Sequence, residues 1–343
     1  ENELPIEKPE IISSPHSILA KNPKHPKKIL MISFECPLWK DARAWSYNGF
    51  YAFRDALHAH DIEELTLPAI AGVPSSNKAS LLLRAAEITR DLSFDQVWVW
   101  ITHNDYDPQF LSWLEGVAPV RVGVIMESME HTEGEEQQFS NLAGRREKVL
   151  SHLKYCTHAL TFDEEDAVSL PKDLPIKALW CPPVVNWRDI CESINLPEPK
   201  AAEFLGTPYN EERREILAHP NLKGILEHAL PPEKNATLPI EFDKFHETSL
   251  ATLYKRCRTN SSGQLIIDFA CESGYAIDFF GQIHRVRRHL NDIWQKGLRQ
   301  SYTQVNLPSF FKSYAGRVVE SMAAGRPVIS WKPPRTRSQA LFT

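Results

Sequence analysis

A glycine, an arginine and a glutamate near the end of the chain have the spacing of a phosphate-binding helix start. Gly316 and Arg317 open a short helical segment, Glu320 follows on the same face, and Gly325 and Pro327 end it before an apolar strand. Backbone N–H groups and Arg317 would hold a diphosphate there, and the Glu320 carboxylate would accept hydrogen bonds from ribose hydroxyls. The same residues also allow a plain alternative, a solvated ion pair between Arg317 and Glu320 on a helix with a glycine cap.

Polar side chains that follow apolar segments form a second group of candidates. Glu127 is the first choice for a general base, followed by His103 and Asp105. A carboxylate or imidazole can remove the proton from an acceptor hydroxyl, a step worth roughly 10²- to 10⁴-fold in rate. Ligands of open parallel sheets bind at the carboxyl ends of the strands, which is where these residues are expected. Each of them could instead cap a helix or a turn.

Short turns after strands supply further candidates for donor contacts. Asn48 and Gly49 follow the first expected strand, and Gly206 and Thr207 follow the strand that opens the second half of the chain. The backbone at such turns can approach phosphate or sugar closely, because glycine has no side chain. A tight turn without a ligand explains Gly206 and Thr207 equally well.

The run Asp105-Tyr-Asp107 allows a different chemistry. Two carboxylates after an apolar strand can clamp a divalent ion on a diphosphate, and residues 97–101 form such a strand. Pro108 directly after the run is more typical of an ordinary turn. A metal site is therefore the minority interpretation.

Composition excludes several classes of partner. The chain has 343 residues with 39 basic and 44 acidic side chains and a net charge of −5, spread along its length, which indicates no field for nucleic acid or an anionic membrane. The six cysteines have no metal-site or disulfide-framework spacing. No signal-peptide pattern opens the sequence, and no apolar run reaches the roughly 18 residues that span a bilayer. We expect a cytoplasmic protein.

Apolar strands alternate with helices along most of the chain. We expect strands at 28–34, 96–102, 120–126, 159–162, 178–180, 202–206 and 302–307, and helices at 50–60, 78–92, 137–154 and 210–219. This alternation predicts an α/β fold with doubly wound parallel sheets. A basic cluster at 282–290 is expected on the solvated face of a helix, or against phosphate if it faces a cleft.

A proline-rich passage divides the chain into two α/β units. We assign residues 1–28 to an N-terminal arm and 29–183 to a first Rossmann-like unit. Residues 184–201 are a linker, and 202–343 form a second Rossmann-like unit with an insertion at about 231–262. A cleft between the two units is expected.

The segment from Glu320 to Val328 resembles the donor-site motif of group 1 glycosyltransferases. It reads Glu-Ser-Met-Ala-Ala-Gly-Arg-Pro-Val and departs from the usual form at Ser321. Further stretches look like successive blocks of GT-B glycosyltransferases, nearest the branch with the bacterial spore-maturation enzymes. They lie in the order of that family at 95–100, 121–128, 157–164, 179–186 and 204–214.

This resemblance implies a fold, a reaction and roles for particular residues. It implies two Rossmann-like domains facing a cleft, with a nucleotide-sugar donor on the C-terminal domain and an acceptor, a glycan, protein or small molecule, on the N-terminal one. No metal or other cofactor is needed, since a helix dipole and basic side chains offset the diphosphate charge. Arg317 and the amides near Gly316 would contact the diphosphate, and Glu320 the ribose. Members usually continue after the motif with another strand and helices.

Lys312 departs from the family pattern. Many group 1 enzymes carry a second glutamate at this place, where it contacts the donor sugar. A lysine can instead meet phosphate or a sugar carboxylate, or lie idle on the surface. Retaining or inverting chemistry therefore stays open, and a catalytically inactive module that binds nucleotide or a partner protein is the alternative function.

Overall fold

The architecture is known from a computed structural model, which describes residues 27–35, 50–70, 85–86, 89–103, 105–232, 236, 258–259, 265–266, 269–310 and 312–332. These residues form two parallel sheets and a two-stranded antiparallel ribbon. The prediction of an α/β chain with two Rossmann-like units is confirmed. Among the helices of the described ranges, none has the length and apolar character needed to cross a bilayer.

The first sheet contains six parallel strands. They are β1 (Lys28–Glu35), β2 (Glu63–Ile70), β3 (Gln96–Trp100), β4 (Val120–Ile125), β5 (His158–Thr161) and β6 (Lys177–Trp180). Their order is β2-β1-β3-β4-β5-β6. The direction of winding therefore reverses between β1 and β3, and the crevice at such a reversal is where open α/β sheets bind ligands.

The continuous apolar sequence of β1 results from burial on both faces. Leu30 and Ile32 pack into one hydrophobic cluster, whereas Ile29 and Met31 pack into another on the opposite side. Strands with helices on both faces carry this pattern because neither face meets water.

The second sheet contains four parallel strands. They are β7 (Ala202–Leu205), β8 (Leu226–Ala229), β11 (Gln304–Asn306) and β12 (Val328–Ser330), in the order β12-β11-β7-β8. The ribbon pairs β9 (Arg258–Thr259) with β10 (Leu265–Ile266). The winding of this sheet reverses between β7 and β11, so the loops that follow these two strands frame a second crevice.

Eight α-helices lie in the described ranges. They are α1 (Phe50–Ala59), α2 (Pro108–Leu114), α3 (Glu133–Gln138), α4 (Arg145–Leu153), α5 (Glu164–Ser169), α6 (Glu211–Ala218), α7 (Phe269–Gln300) and α8 (Gly316–Ala323). The prediction of one helix over 137–154 is wrong, because α3 and α4 are separate. Phe139 ends α3 in an extended conformation, and Gly144 begins α4 with a positive φ of 66°, which favours glycine.

Two strands of the parallel sheets were not predicted from the sequence. β2 begins with two glutamates and contains Pro68, and both features weaken the sequence pattern of a strand. Its position at one edge of the first sheet tolerates them. β8 lies at one edge of the second sheet and is partly exposed. The expected helix at 78–92 and the insertion at 231–262 fall mostly outside the described residues.

The second half of α7 contacts the first unit and the linker, which corrects the expectation of a solvated basic face. Arg287 is only 3% exposed and lies over the Tyr51 ring. Arg288 forms an ion pair with Asp55 of α1 at 2.9 Å. Asn291 donates to Asp189 of the linker at 2.9 Å. This part of α7 therefore braces the two units against each other.

Candidate active site

The carboxyl-terminal edges of the two sheets meet through Lys312. Ser128 lies just after β4, and Lys312 lies in the loop after β11. The Lys312 backbone N–H donates to Ser128 Oγ at 2.8 Å, and its ammonium group forms an ion pair with Glu135. The residues that follow the strands of both sheets therefore border one cleft.

Glu127, His103 and Arg145 form a cluster on the first unit. Arg145 Nη1 donates to Glu127 Oε2 at 2.6 Å, and His103 Nε2 lies 3.5 Å from Glu127 Oε1. The side chain of Glu127 is 24% exposed, that of His103 13%, and that of Arg145 1%. The structure thus brings together the first two candidate bases and adds an arginine that the sequence analysis missed.

The electrostatics of the cluster separate the roles of its members. Burial alone would raise the pKa of Glu127, but hydrogen bonds and charge from His103 and Arg145 outweigh it and lower this pKa from 4.5 to about 2. A carboxylate with so low a pKa is ionised near neutral pH and accepts protons weakly. A neutral His103 that presents Nε2–H to Glu127 carries its imidazole lone pair on Nδ1.

The third candidate base and the possible metal motif have other surroundings. Asp105 is exposed, while Tyr106 is buried and its hydroxyl donates to Trp100 O at 2.9 Å. Asp107 is the N-cap of α2 and accepts from Gln109 N at 2.7 Å. No group of three or more potential metal ligands occurs within the described ranges. The capping role of Asp107 accounts for its position without a metal.

Two buried aspartates hold the segment that follows Glu127. Ser128 Oγ donates to Asp163 Oδ2 at 2.5 Å, and the Met129 amide donates to Asp166 Oδ2 at 2.9 Å. Both aspartates are fully enclosed. Because the Ser128 hydroxyl proton is directed at Asp163, its oxygen can accept the Lys312 amide. Nothing in the spacing of these residues along the sequence indicated this arrangement.

On the second unit, α8 begins where the sequence analysis expected it. Its N-cap Ala315 offers no side-chain hydrogen bond, so the first amides of the helix lack a cap of that kind. The Arg317 guanidinium lies over the rings of Phe204 and Trp294, 4.9 and 5.9 Å from their centroids. Glu320 is 5% exposed and accepts from the Trp294 indole N–H at 2.9 Å.

Gly206, but not Gly316, permits a close approach at this site. A Cβ on Gly206 would lie 2.5 Å from the Phe204 ring and 2.7 Å from Arg317 Nη2, so the turn after β7 has no room for a side chain. A Cβ on Gly316 would lie 3.5 Å from Glu320 Oε1, an ordinary contact. The carbonyl of Thr207 accepts from Arg213 at 3.0 Å. The structure therefore places Gly206, Arg317 and Glu320 around one small volume.

Aromatic side chains close the junction beside Lys312. Phe139 of the first unit contacts Tyr209 and Phe310 of the second, with ring centroids 5.7 and 5.5 Å apart. His131 lies against Phe310, and burial, followed by the nearby Arg145 charge, lowers its pKa. Lys312, expected to meet a donor group or to lie idle, thus sits in an interface between the units. Asn48 and Gly49, the remaining candidates, lie outside the described residues.

Comparison with known proteins finds similarity only among solved structures. No protein-family model matches the sequence, and no curated protein matches it. The chain is similar to the glycotransferase of kitacinnamycin, with 10% identity and a TM-score of 0.37, over 90% of this chain and 81% of that one. It is also similar to CalG4, the calicheamicin glycosyltransferase, with 12% identity and a TM-score of 0.35, over 92% and 82% of the two chains. Both TM-scores are low, and the function proposed below rests on this chain's own residues.

Proposed function

We propose that the protein is a glycosyltransferase of the GT-B type, which moves a sugar from a nucleotide-diphosphate donor to an acceptor hydroxyl without a metal ion. The observation that carries this proposal is the contact of Lys312 with Ser128. It joins the carboxyl-terminal edges of two parallel sheets, where open α/β sheets bind ligands. A donor on one edge and an acceptor on the other would meet in the cleft between them.

The donor would bind at the start of α8. Its first amides and Arg317 offer positive charge to a diphosphate, and Gly206 leaves room for the Arg317 guanidinium beside the turn after β7. Phe204 and Trp294 stack against the guanidinium and so limit its movement. Glu320 would accept hydrogen bonds from the ribose hydroxyls, with Trp294 holding its carboxylate in place.

The acceptor would be activated by His103. Its Nδ1 takes the proton of the acceptor hydroxyl while the oxygen forms a bond to the anomeric carbon of the sugar. The bond from that carbon to the diphosphate oxygen breaks, and the leaving charge is stabilised by Arg317 and the α8 dipole. Glu127 stabilises the imidazolium that forms, and attack opposite the leaving group inverts the anomeric centre.

Nucleotide titration tests the donor site. UDP, GDP, ADP and the other nucleoside diphosphates are added separately, and the shift in melting temperature is recorded, because a ligand that binds the folded state raises it. We expect one nucleotide to stabilise the protein and the effect to weaken in Arg317→Ala and Glu320→Ala. Arg285→Ala is the control, since Arg285 is exposed on α7. If no nucleotide shifts the melting temperature, the donor site is wrong.

Turnover distinguishes the enzyme from the alternative, an inactive module that binds nucleotide. The alternative has a specific observation in its favour, because protein groups already engage Glu320 and Lys312, namely Trp294 and Glu135. Slow hydrolysis of the donor that falls in His103→Gln supports the enzyme. Nucleotide binding without turnover across a broad acceptor screen supports the module. Activity that EDTA abolishes would favour a metal at Asp105 and Asp107 instead.

A further inference from the structure

We propose that Arg145 is a positioning residue, which fixes the Glu127 carboxylate so that its second oxygen orients His103. This inference rests on the proposed role of His103 as the base. It concerns a side chain that neither the sequence motifs nor the donor site involve. Arg145 would act only through Glu127 and would not touch the substrate.

The two oxygens of Glu127 have different partners. Oε2 accepts from Arg145 Nη1 at 2.6 Å, and Oε1 faces His103 Nε2 at 3.5 Å. A carboxylate held at one oxygen by a charged hydrogen bond has little freedom to rotate. The direction of Oε1, and with it the orientation of the imidazole, is therefore set by Arg145.

The burial of Arg145 makes this arrangement rigid. The residue is 2% exposed and begins α4 after Gly144, so the position of its side chain is tied to the start of that helix. Within the described ranges, its Nε and Nη2 atoms have no hydrogen-bond acceptor. Glu127 consequently supplies the hydrogen-bonded counter-charge that a buried guanidinium requires.

The other charged groups nearby are accounted for by separate contacts. His131 Nε2 lies 2.9 Å from Ser128 O, and its Nδ1 lies 4.0 Å from Glu135. Lys312 and Glu135 form their own ion pair. Burial and the charge of Arg145 both lower the pKa of His131, which favours its neutral form. Each of these groups thus has a contact of its own, and Glu127 is the carboxylate that accepts the hydrogen bond from Arg145.

The spectrum of His103 tests the proposal. An imidazole N–H held by a carboxylate exchanges slowly with water and gives a resolved downfield proton resonance. The chain has 13 histidines, so the signal of His103 is assigned by its disappearance in His103→Gln. We expect this signal in the wild-type protein, its loss in Glu127→Gln and Arg145→Met, and an intermediate signal in Arg145→Lys, whose ammonium lacks the fixed geometry of the guanidinium.

The neighbouring arginine provides a matched control. Arg146 lies in the same helix and pairs with Glu130 at 2.6 Å, but its side chain is 25% exposed. Arg146→Met should leave the His103 signal unchanged. A wild-type signal in folded Arg145→Met would overturn the proposal. If Arg145→Met does not fold, a wild-type signal in Arg145→Lys would overturn the proposal instead.

Kinetics separate this inference from the proposed function. In Arg145→Met we expect kcat for donor hydrolysis to fall by roughly 10²-fold, the range of a lost general base, with KM for the donor unchanged. The nucleotide-induced melting shift should also be unchanged, because Arg145 lies outside the donor site. If the spectrum changes as expected but no turnover exists, Arg145 positions His103 and the glycosyltransferase proposal fails. If turnover exists and neither the signal nor kcat depends on Arg145, only the present inference fails.

Discussion

The two sides of the cleft each use one arginine and one glutamate, but in different ways. On the first unit, Arg145 and Glu127 contact each other directly at 2.6 Å, with the Arg145 side chain buried. On the second unit, Arg317 lies over aromatic rings and Glu320 accepts from the indole of Trp294. The first arrangement lowers the pKa of Glu127 and places its second carboxylate oxygen 3.5 Å from His103. The second places a cation and a carboxylate against aromatic side chains at the start of a helix.

The largest expected effect concerns the charge of Glu127 on the first unit. The folded-state pKa of Glu127 is lowered from 4.5 to about 2. The ionised carboxylate therefore contributes its full stabilisation above pH 4.5, and this contribution is lost as the pH falls towards 2. At roughly 1.4 kcal/mol for each pKa unit, this contribution is on the order of 3 kcal/mol. The free energy of unfolding in urea, measured from pH 6 down to about 2, reports it.

We expect Glu127→Gln to be less stable than the wild type near pH 6. The difference in the free energy of unfolding between the two proteins should become smaller as the pH falls. Glu130→Gln is the control, because Glu130 lies three residues further on with a half-exposed side chain. That variant should follow the wild-type curve closely. Parallel curves for the wild type and Glu127→Gln would show that the carboxylate is not held as described.

The next effect concerns packing at the second site. Gly206→Ala should destabilise the protein by about 1 to 3 kcal/mol, because the new methyl group meets the Phe204 ring and the Arg317 guanidinium. Nucleotide affinity should fall as Arg317 is displaced. Thermal unfolding and nucleotide titration measure the two quantities. Gly134→Ala is the control, since a Cβ there has no atom within 4 Å, and a variant of Gly206 that behaves like it would contradict the close approach.

The smallest effect concerns the indole of Trp294. Trp294→Phe keeps most of the ring but removes the N–H that Glu320 accepts, so stability should fall by about 1 to 2 kcal/mol with little dependence on pH near neutrality. Trp187→Phe, at an exposed position, should change stability by less. Urea unfolding measures both. A stability loss in Trp294→Phe no larger than in the control would show that the indole does not hold Glu320.

The candidate site divides into parts that sequence patterns reveal and parts that they do not. The spacing of Gly316, Arg317 and Glu320 lies within a single helix, where local geometry sets which side chains share a face. Glu127 and His103 were found as polar residues after apolar strands, which identifies a sheet edge but not a partner. Their mutual contact depends on β3 and β4 being neighbours.

The contacts that were missed join residues far apart in the chain. Asp163 binds Ser128 across 35 residues, and Lys312 binds the same serine across 184. Arg145 was overlooked because an arginine in a predicted helix is usually a surface residue. The long basic segment of α7 was taken for a solvated face for the same reason. In each case the burial that changes the role of the charge comes from a distant part of the chain.

The sequence by itself determined the turn glycines, the position of α8 and the strands of both parallel sheets, except the edge strands β2 and β8. Hydrophobic period, helix caps and turn chemistry are local properties, so they can be identified without the tertiary structure. Only the tertiary structure decided which charges meet. Glu127 forms an ion pair with Arg145, Glu320 accepts a hydrogen bond from Trp294, and Lys312 forms an ion pair with Glu135. Electrostatic interactions depend on distance and burial rather than on separation along the chain, so they appear only when the chain has folded.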